Sequence, residues 1–396
     1  MPRRNNEGAR TAVKPLSALD TLRQTAADAY RQGRMTHAND AQSAVLAAAH
    51  PPSADDFLFA GLIRHQAGHP ADGIAALREG TIHHPANPAI RENLAVLLLS
   101  VGDAAGAIAA CQQALHLGSD SPNVHDCLCE AHIRAGHLDL ARHAGGMALE
   151  AKDRRFGHAS PLFAVPHAPT PPFDHGQPDR NILAYSLWGN APRYQVPLLE
   201  NARIRPHLFP EWTIRVYHGD TVDPGYLQEL ASLGVQLQPS GDAGDGPAHR
   251  GLLWRFAAAA DPSVRRFLIR DADSLLTVKE RVAVDDWLRS GFYFHAMRDW
   301  YSHTDLLLAG MWGGVGGIVP SPDALLAAHT FWRMETSHID QDILAAVVWP
   351  AIRDDILIHD SIFHPARGTR PFPPFGALPA GHHIGQNAFL HFTKIL

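Results

Sequence analysis

Three series of small residues share one interval in the first part of this chain, and that interval limits its fold more than any other feature. Gly68, Gly102 and Gly136 stand 34 residues apart; Ala76, Ala110 and Ala144 keep the same spacing, and so do Pro88 and Pro122. A period of this length fits one supersecondary unit that cannot bury its apolar face alone and must stack on its neighbours. Each unit, beginning near Ala54, Pro88 and Pro122, reads as a helix, a turn at the glycine and a second, Ala-rich helix. Glycine ends the first helix because it takes the left-handed conformation without a side-chain clash, and the alanine lets the paired helices approach. An earlier segment around 19–52 is out of phase, with Gly33 standing 35 residues before Gly68, and reads as a divergent capping repeat.

The 34-residue phase over about residues 54–155 resembles the tetratricopeptide repeat. The resemblance implies a concave helical surface that recruits a protein partner or acceptor and performs no chemistry. Residues 1–155 are therefore expected to form an α-helical repeat domain. Pro161, Pro166, Pro169, Pro171, Pro172 and Pro178 follow it. Such density removes backbone donors and favours an extended, semi-rigid connector, which places a linker at 156–180.

Beyond Arg180 the texture changes. Asn181–Trp188 (NILAYSLW), 212–217 (WTIRVY), 234–238 (GVQLQ) and 267–269 (FLI) read as short strands, separated by helical stretches at 194–202, 224–233 and 252–260. Strands alternating with helices imply a mostly parallel, Rossmann-like sheet wound with crossovers, so residues 181–396 are expected to form an α/β domain. In such sheets a ligand binds beyond the carboxyl ends of the strands.

Composition narrows the partners. A charged fraction of 19% against 45% hydrophobic residues in a chain of 396 describes an ordinary globular protein of two or three domains. A net charge of −6 and the lack of a long basic run argue against a nucleic-acid partner. Cys111, Cys127 and Cys129 are too few and too clustered for a disulfide framework, which points to a reducing compartment. No apolar segment follows the basic start MPRRNNEGAR and no stretch is long enough to span a bilayer, so a cytoplasmic location is expected. The 26 histidines are scattered, and pairs such as His65/His69 and His382/His383 lack partners at zinc-site spacing; they read as compositional bias.

The run RRFLIRDADSLL, residues 265–276, carries the chemistry. In an extended chain side chains alternate, so Asp271 and Asp273 would share one face. Adjacent carboxylates repel unless something offsets their charge. A divalent cation does so, and hard ions such as Mg²⁺ or Mn²⁺ take oxygen ligands. The alternative is a solvated strand end with Ser274 as a cap. Position favours the cation, because the pair stands at the carboxyl end of an apolar strand. Arg270 beside the pair has a planar fork suited to a carboxylate or a phosphate.

The order of segments extends this reading. A helix carrying Arg255 between Trp254 and Phe256, a short gap, an apolar strand and D-x-D together resemble the nucleotide-sugar-dependent glycosyltransferases of the GT-A fold. Asp261-Pro262-Ser263 departs from that pattern, standing where the family carries a Gly-Gly turn. Arg270-Asp271-Ala272-Asp273-Ser274, Met297-Arg298-Asp299 and Gly310-Met311-Trp312-Gly313 are similar to segments of glycosyltransferase-like proteins with R-D-x-D-S, M-R-D and G-M-W-G, over about residues 181–396. The resemblance implies a metal-dependent transfer of a sugar from a nucleotide-sugar donor, with Mn²⁺ or Mg²⁺ on Asp271 and Asp273 stabilising charge on the leaving diphosphate. It implies further that His359, following a short strand, completes the metal shell. Arg255 and Arg270 are expected at the donor, together with Trp188, which closes the first strand.

Three other stretches bear on the site. Trp312, in the glycine-rich run Gly310–Gly317, is suited to stack on a sugar face, and Gly313 would let backbone approach the ligand. Without G-K-[ST] the run is not a nucleotide P-loop. Asp299 follows another strand and reads as an acceptor-side base or as half of a surface ion pair. Asp340 and Asp342, in His338-Ile339-Asp340-Gln341-Asp342, stand where related glycosyltransferases carry D-Q near the reacting sugar, although Ser337 with Asp340 also makes a helix-capping pattern. Two rivals remain open at this stage. One is a repeat scaffold whose second domain binds without turnover. The other is a phosphohydrolase of the haloacid-dehalogenase type, whose nucleophile motif is also a strand followed by D-x-D.

Overall fold

The computed structural model describes residues 17–241, 250–329, 338–363, 369–376 and 382–388. Ser337 lies outside them. The chain divides into two compact units, Met1–His137 and Leu138–Leu396.

The first unit holds the helices α1 (Ala18–Arg31), α2 (Met35–Ala48), α3 (Ala54–Gln66), α4 (Pro70–His83), α5 (Pro88–Ser100), α6 (Ala104–His116) and α7 (Pro122–Arg134). α1 pairs with α2, α3 with α4 and α5 with α6, and successive hairpins stack. Gly33, Gly68 and Gly102, at the hairpin turns, have φ of 71°, 83° and 83°, the left-handed region the phase anticipates. Ala76 and Ala110 are buried where the helices meet. Ser53 and Asp56 close a reciprocal capping box on α3, which satisfies amides its first turn would leave bare. This is a tetratricopeptide-like helical array, and the out-of-phase segment supplies its first hairpin. The three cysteines are buried and none forms a disulfide.

By phase, α8 (Leu138–Phe156) would be the second helix of the last repeat, yet it is grouped with the second unit. Its 19 residues outrun the 13 or 14 of α1–α7. The Lys152 ammonium donates to Asp305 Oδ1 at 2.7 Å and to the Thr304 carbonyl at 2.9 Å. Asp153 accepts from Trp349 Nε1 at 2.7 Å and from Arg353 at 3.0 Å. The proline-rich segment after α8 lies along the same unit. Prolines leave carbonyls to be satisfied, and side chains of the sheet domain satisfy them: Tyr293 donates to Ala168 O at 2.9 Å, and Arg266 to Pro171 O.

The second unit is built on β1 (Asn181–Leu187), β2 (Thr213–His218), β3 (Gln236–Pro239), β4 (Arg266–Ile269), β5 (Phe294–Arg298), β6 (Trp312–Val315), β7 (Ile356–Asp360) and β8 (Thr369–Arg370). They form one sheet in the order β3-β2-β1-β4-β6-β5-β7-β8. Neighbours are parallel except at β6, which runs antiparallel to both β4 and β5. Every residue of β1, β4, β5 and β7 is buried, as expected for strands covered on both faces. α9 (Pro192–Leu208) and α10 (Pro224–Ser232) link β1 to β2 and β2 to β3. The stretch at 252–260 is not one helix. It breaks into α11 (Arg250–Leu253), a tight turn Trp254–Phe256 and α12 (Ala257–Ala260). α13 (Val278–Leu288) follows β4.

From β1 the chain winds outward to β2 and β3, then returns to place β4 on the other side of β1. Connections leave the carboxyl ends of β1 and β4 in opposite directions, so a crevice opens between them. The middle of the glycine-rich run expected beside a ligand, Trp312–Val315, is instead β6, inside the sheet. A side chain at Gly313 would put its Cβ 2.5 Å from the Phe267 carbonyl oxygen, so this glycine serves strand packing. Trp312 is fully buried, edge-on to Phe256 and Phe267 with ring centroids 5.4 and 5.1 Å away. It has no face open to a sugar.

Candidate functional site

The crevice at the β1/β4 switch has a volume of about 300 Å³. Ser186 and Trp188 from the end of β1, Tyr194 from α9, Leu252 from α11, and Asp271 and Asp273 after β4 line it; Gly385 and Asn387 are also in its wall. The two acids do not sit on an extended strand. β4 ends at Ile269, and a turn follows in which Ser274 donates to the Asp271 carbonyl from its amide (3.3 Å) and its hydroxyl (3.0 Å). The turn, not strand alternation, brings both carboxylates to one cavity.

Arg255 supports them from below. Its residue is 4% exposed, and its amide donates to Ser186 Oγ at 3.0 Å. The guanidinium donates to the Asp271 carboxylate, to the Arg270 carbonyl at 3.0 Å and to Asp340 Oδ2 at 3.0 Å. Burial works to lower its pKa, but Asp271 and Asp340 outweigh that and hold it above the ordinary value. Asp340 is itself raised by burial, with Arg255 opposing. Gly310 leaves room for this arrangement: a Cβ there would fall 2.0 Å from Asp271 Oδ2. Gly251 does the same for Trp188, whose ring would lie 2.8 Å from an added Cβ.

Asp273 accepts from the Asn387 carboxamide at 3.3 Å, while its carbonyl accepts from the Ala388 amide at 2.7 Å. Burial, and then the negative charge of Asp271, push its carboxyl above the usual range; Arg193 and Arg255 oppose this. Asp271 and Asp340 share the one buried guanidinium of Arg255, and Asp273 adds a second carboxylate to the crevice beside Asp271. The donor set of two half-buried carboxylates fits a hard divalent cation, which is bound through one or two such groups and the phosphates of a ligand.

Other expected site residues lie elsewhere. Arg270 is 1% exposed and pairs at 3.5 Å with Glu280, so burial removes it from any donor. His359 is within β7, not beyond it, and both ring nitrogens are engaged: Nδ1 with His295 Nε2 at 2.8 Å, Nε2 with Asp286 at 3.1 Å. It cannot complete a shell with Asp271 and Asp273 in this arrangement. Trp312 and Gly313 belong to the sheet interior, as described. Asp299 is buried on the Lys279 ammonium at 2.9 Å and is not in the crevice wall. Asp342 is buried on the same short helix as Asp340, Ile339–Ile343, also outside the lining. Sequence reasoning did not single out Ser186, Tyr194, Gly385 or Asn387. The last two come from a segment 112 or more residues beyond Asp273, and only the fold places them.

No protein-family model matches the chain. No curated protein matches it either. Among solved structures it is similar to a mutant O-GlcNAc transferase of Thermobaculum terrenum, at 21% identity and a TM-score of 0.37, over 56% of this chain and 41% of that one. It is also similar to MamA (20% identity, TM-score 0.32, 34% of this chain and 73% of that one). A tetratricopeptide repeat protein from Parabacteroides merdae matches at 18% identity and a TM-score of 0.32, over 34% of this chain and 54% of that one. The chain thus spans less than half of the transferase it matches. At these scores the assignment of both units rests on their own element order.

Proposed function

We propose that the second unit is a GT-A-like, metal-dependent glycosyltransferase acting on a nucleotide-sugar donor, and that the repeat unit recruits a protein partner or acceptor. The observation that carries the reading is the crevice itself. Two carboxylates and the rings of Trp188 and Tyr194 line one cavity at the switch point of a mostly parallel sheet. Trp188 and Tyr194 offer faces to the flat part of the donor. Asp271 and Asp273 would hold Mn²⁺ or Mg²⁺, which supplies Lewis-acid stabilisation of charge on the diphosphate. Arg255 keeps Asp271 in place, and Asp340 keeps Arg255 in place. Asp299 and Asp342 are not assigned as bases, because neither lines the crevice.

One observation favours the non-catalytic reading: Asp271 is already paired with Arg255, as a carboxylate in a plain binding module would be. A thermal-shift panel of nucleotide sugars with and without Mn²⁺, followed by a donor-hydrolysis assay, separates the readings. Metal-dependent stabilisation with slow release of free sugar supports the transferase. Stabilisation without turnover supports the binding module, and phosphate release from a generic ester supports a hydrolase.

A further inference from the structure

Away from the crevice, Asp299, His303 and His383 bring one ligand atom each within 4.8 Å of one another. Asp299 stands just past the end of β5, His303 four residues on, and His383 in the segment 382–388. Two of the three donor atoms stand ready for an ion, and the third needs one hydrogen bond displaced. Asp299 Oδ1 is buried and has no hydrogen-bond partner, whereas Oδ2 takes Lys279 at 2.9 Å and the Ile384 amide at 3.1 Å. That division turns one bare oxygen toward the rings. His383 Nδ1 lies 2.8 Å from the Ile384 carbonyl, which only accepts, so the proton is on Nδ1 and Nε2 keeps its lone pair. His303 Nδ1 accepts from the Asp299 amide at 3.2 Å, so its proton is on Nε2 and its lone pair is held by that amide, 3.6 Å from Asp299 Oδ1; an ion reaches it only by displacing this hydrogen bond. Trp300 stacks on the His383 ring at 5.1 Å and fixes its plane.

We propose that Asp299, His303 and His383 bind a transition-metal ion of the Zn²⁺ class, separate from the cation at Asp271 and Asp273. Two imidazoles and one carboxylate form a borderline donor set, which suits Zn²⁺ and Co²⁺ better than Mg²⁺ or Ca²⁺. The Lys279 ammonium costs affinity for any second cation, and that favours an ion with strong bonds to nitrogen over one held by charge alone. The long amide contact to His303 is weak and is replaced by the ion. The role is structural. The segment that holds His383 also supplies Gly385 and Asn387 to the crevice wall, so the ion ties that wall to the end of β5.

Co²⁺ titration of the full chain, read by its visible absorption, tests this. The site predicts about one equivalent with the intense bands of a four- or five-coordinate ion bearing nitrogen ligands, displaced by Zn²⁺ and not by Mg²⁺. His383→Ala should weaken binding at least tenfold, about 1.4 kcal/mol. The double variant Asp271→Asn/Asp273→Asn should keep the bands. Absence of such bands in the full chain overturns the proposal. So does their survival in His383→Ala, and so does their loss in the double variant. None of these outcomes decides whether the crevice binds a nucleotide sugar.

Discussion

The Arg255 guanidinium, buried between Asp271 and Asp340, makes the largest single-residue prediction. The sequence places Arg255 at the donor, which predicts that Arg255→Ala weakens donor binding with little effect on stability. In the structure its removal leaves the Asp340 carboxylate buried without a counter-charge, a change that costs about 3 kcal/mol. Urea unfolding of Arg255→Met should show that loss; unchanged stability with weakened donor binding would make Arg255 a ligand-contacting group instead. Asp273 predicts the opposite sign. Its carboxyl is raised in the fold, so folding disfavours the ionised form. The penalty is absent below the unfolded value of 3.8 and complete above the folded one. Without metal, Asp273→Asn should therefore raise Tm at about pH 7, with the gain shrinking as pH falls toward about 4. A variant that lowers Tm across that range would show that Asp273 is held by bonds stronger than those to Asn387.

Among the elements, β6 separates function from framework most clearly. Gly313→Ala places a methyl against the Phe267 backbone, which cannot yield without parting β4 from β6, and overpacking of this kind costs about 1–3 kcal/mol. Gly310→Ala meets the Asp271 carboxylate first, the end of a side chain and not backbone, so it should displace that carboxylate and weaken donor binding with a smaller change in Tm. Equal losses of stability in the two variants would contradict this division. β7 adds a pH dependence of its own. Burial holds His359 down at about 4 and His295 well below its ordinary value, so the fold favours neutral rings. That contribution is intact above about 6.5 and is lost as pH falls toward 4, so Tm should drop through this window, less steeply in His359→Asn. The strands at 181–188, 212–217 and 267–269 were legible because short apolar runs between turn residues have few other solutions. β6 was not, because its glycines answer to Phe267, Leu268 and Phe294 on neighbouring strands, and no local pattern encodes those neighbours. Arg270 misled for a related reason. Its amide still pairs with Ala184 O as a continuation of β4, which turns the side chain inward to Glu280 while the next residue turns out.

At the scale of the whole molecule, repeat phase and linker composition predict a separate α/β domain of residues 181–396, able to bind donor alone. The contacts of α8 revise the fragment. Leu149 lies in the core of the second unit, and Lys152 and Asp153 are bonded to it. Residues 138–396 should fold and keep donor binding, whereas 181–396 should be markedly less stable; fragments of equal stability would show α8 to be dispensable. No described helix is long and apolar enough to cross a membrane. The paired acids and the flanking strands are readable in the sequence, but the break of 252–260 into two short helices around Arg255 and the far wall at Gly385 and Asn387 depend on tertiary folding. The central claim is that Asp271 and Asp273 hold a divalent cation against a donor diphosphate, and calorimetric titration of Mn²⁺ with donor present tests it most directly. The wild type should bind donor at least tenfold more tightly than Asp273→Asn, about 1.4 kcal/mol, with the difference vanishing when Mn²⁺ is withheld. Equal Mn²⁺ dependence in both proteins would contradict the account and leave the pair a solvated turn.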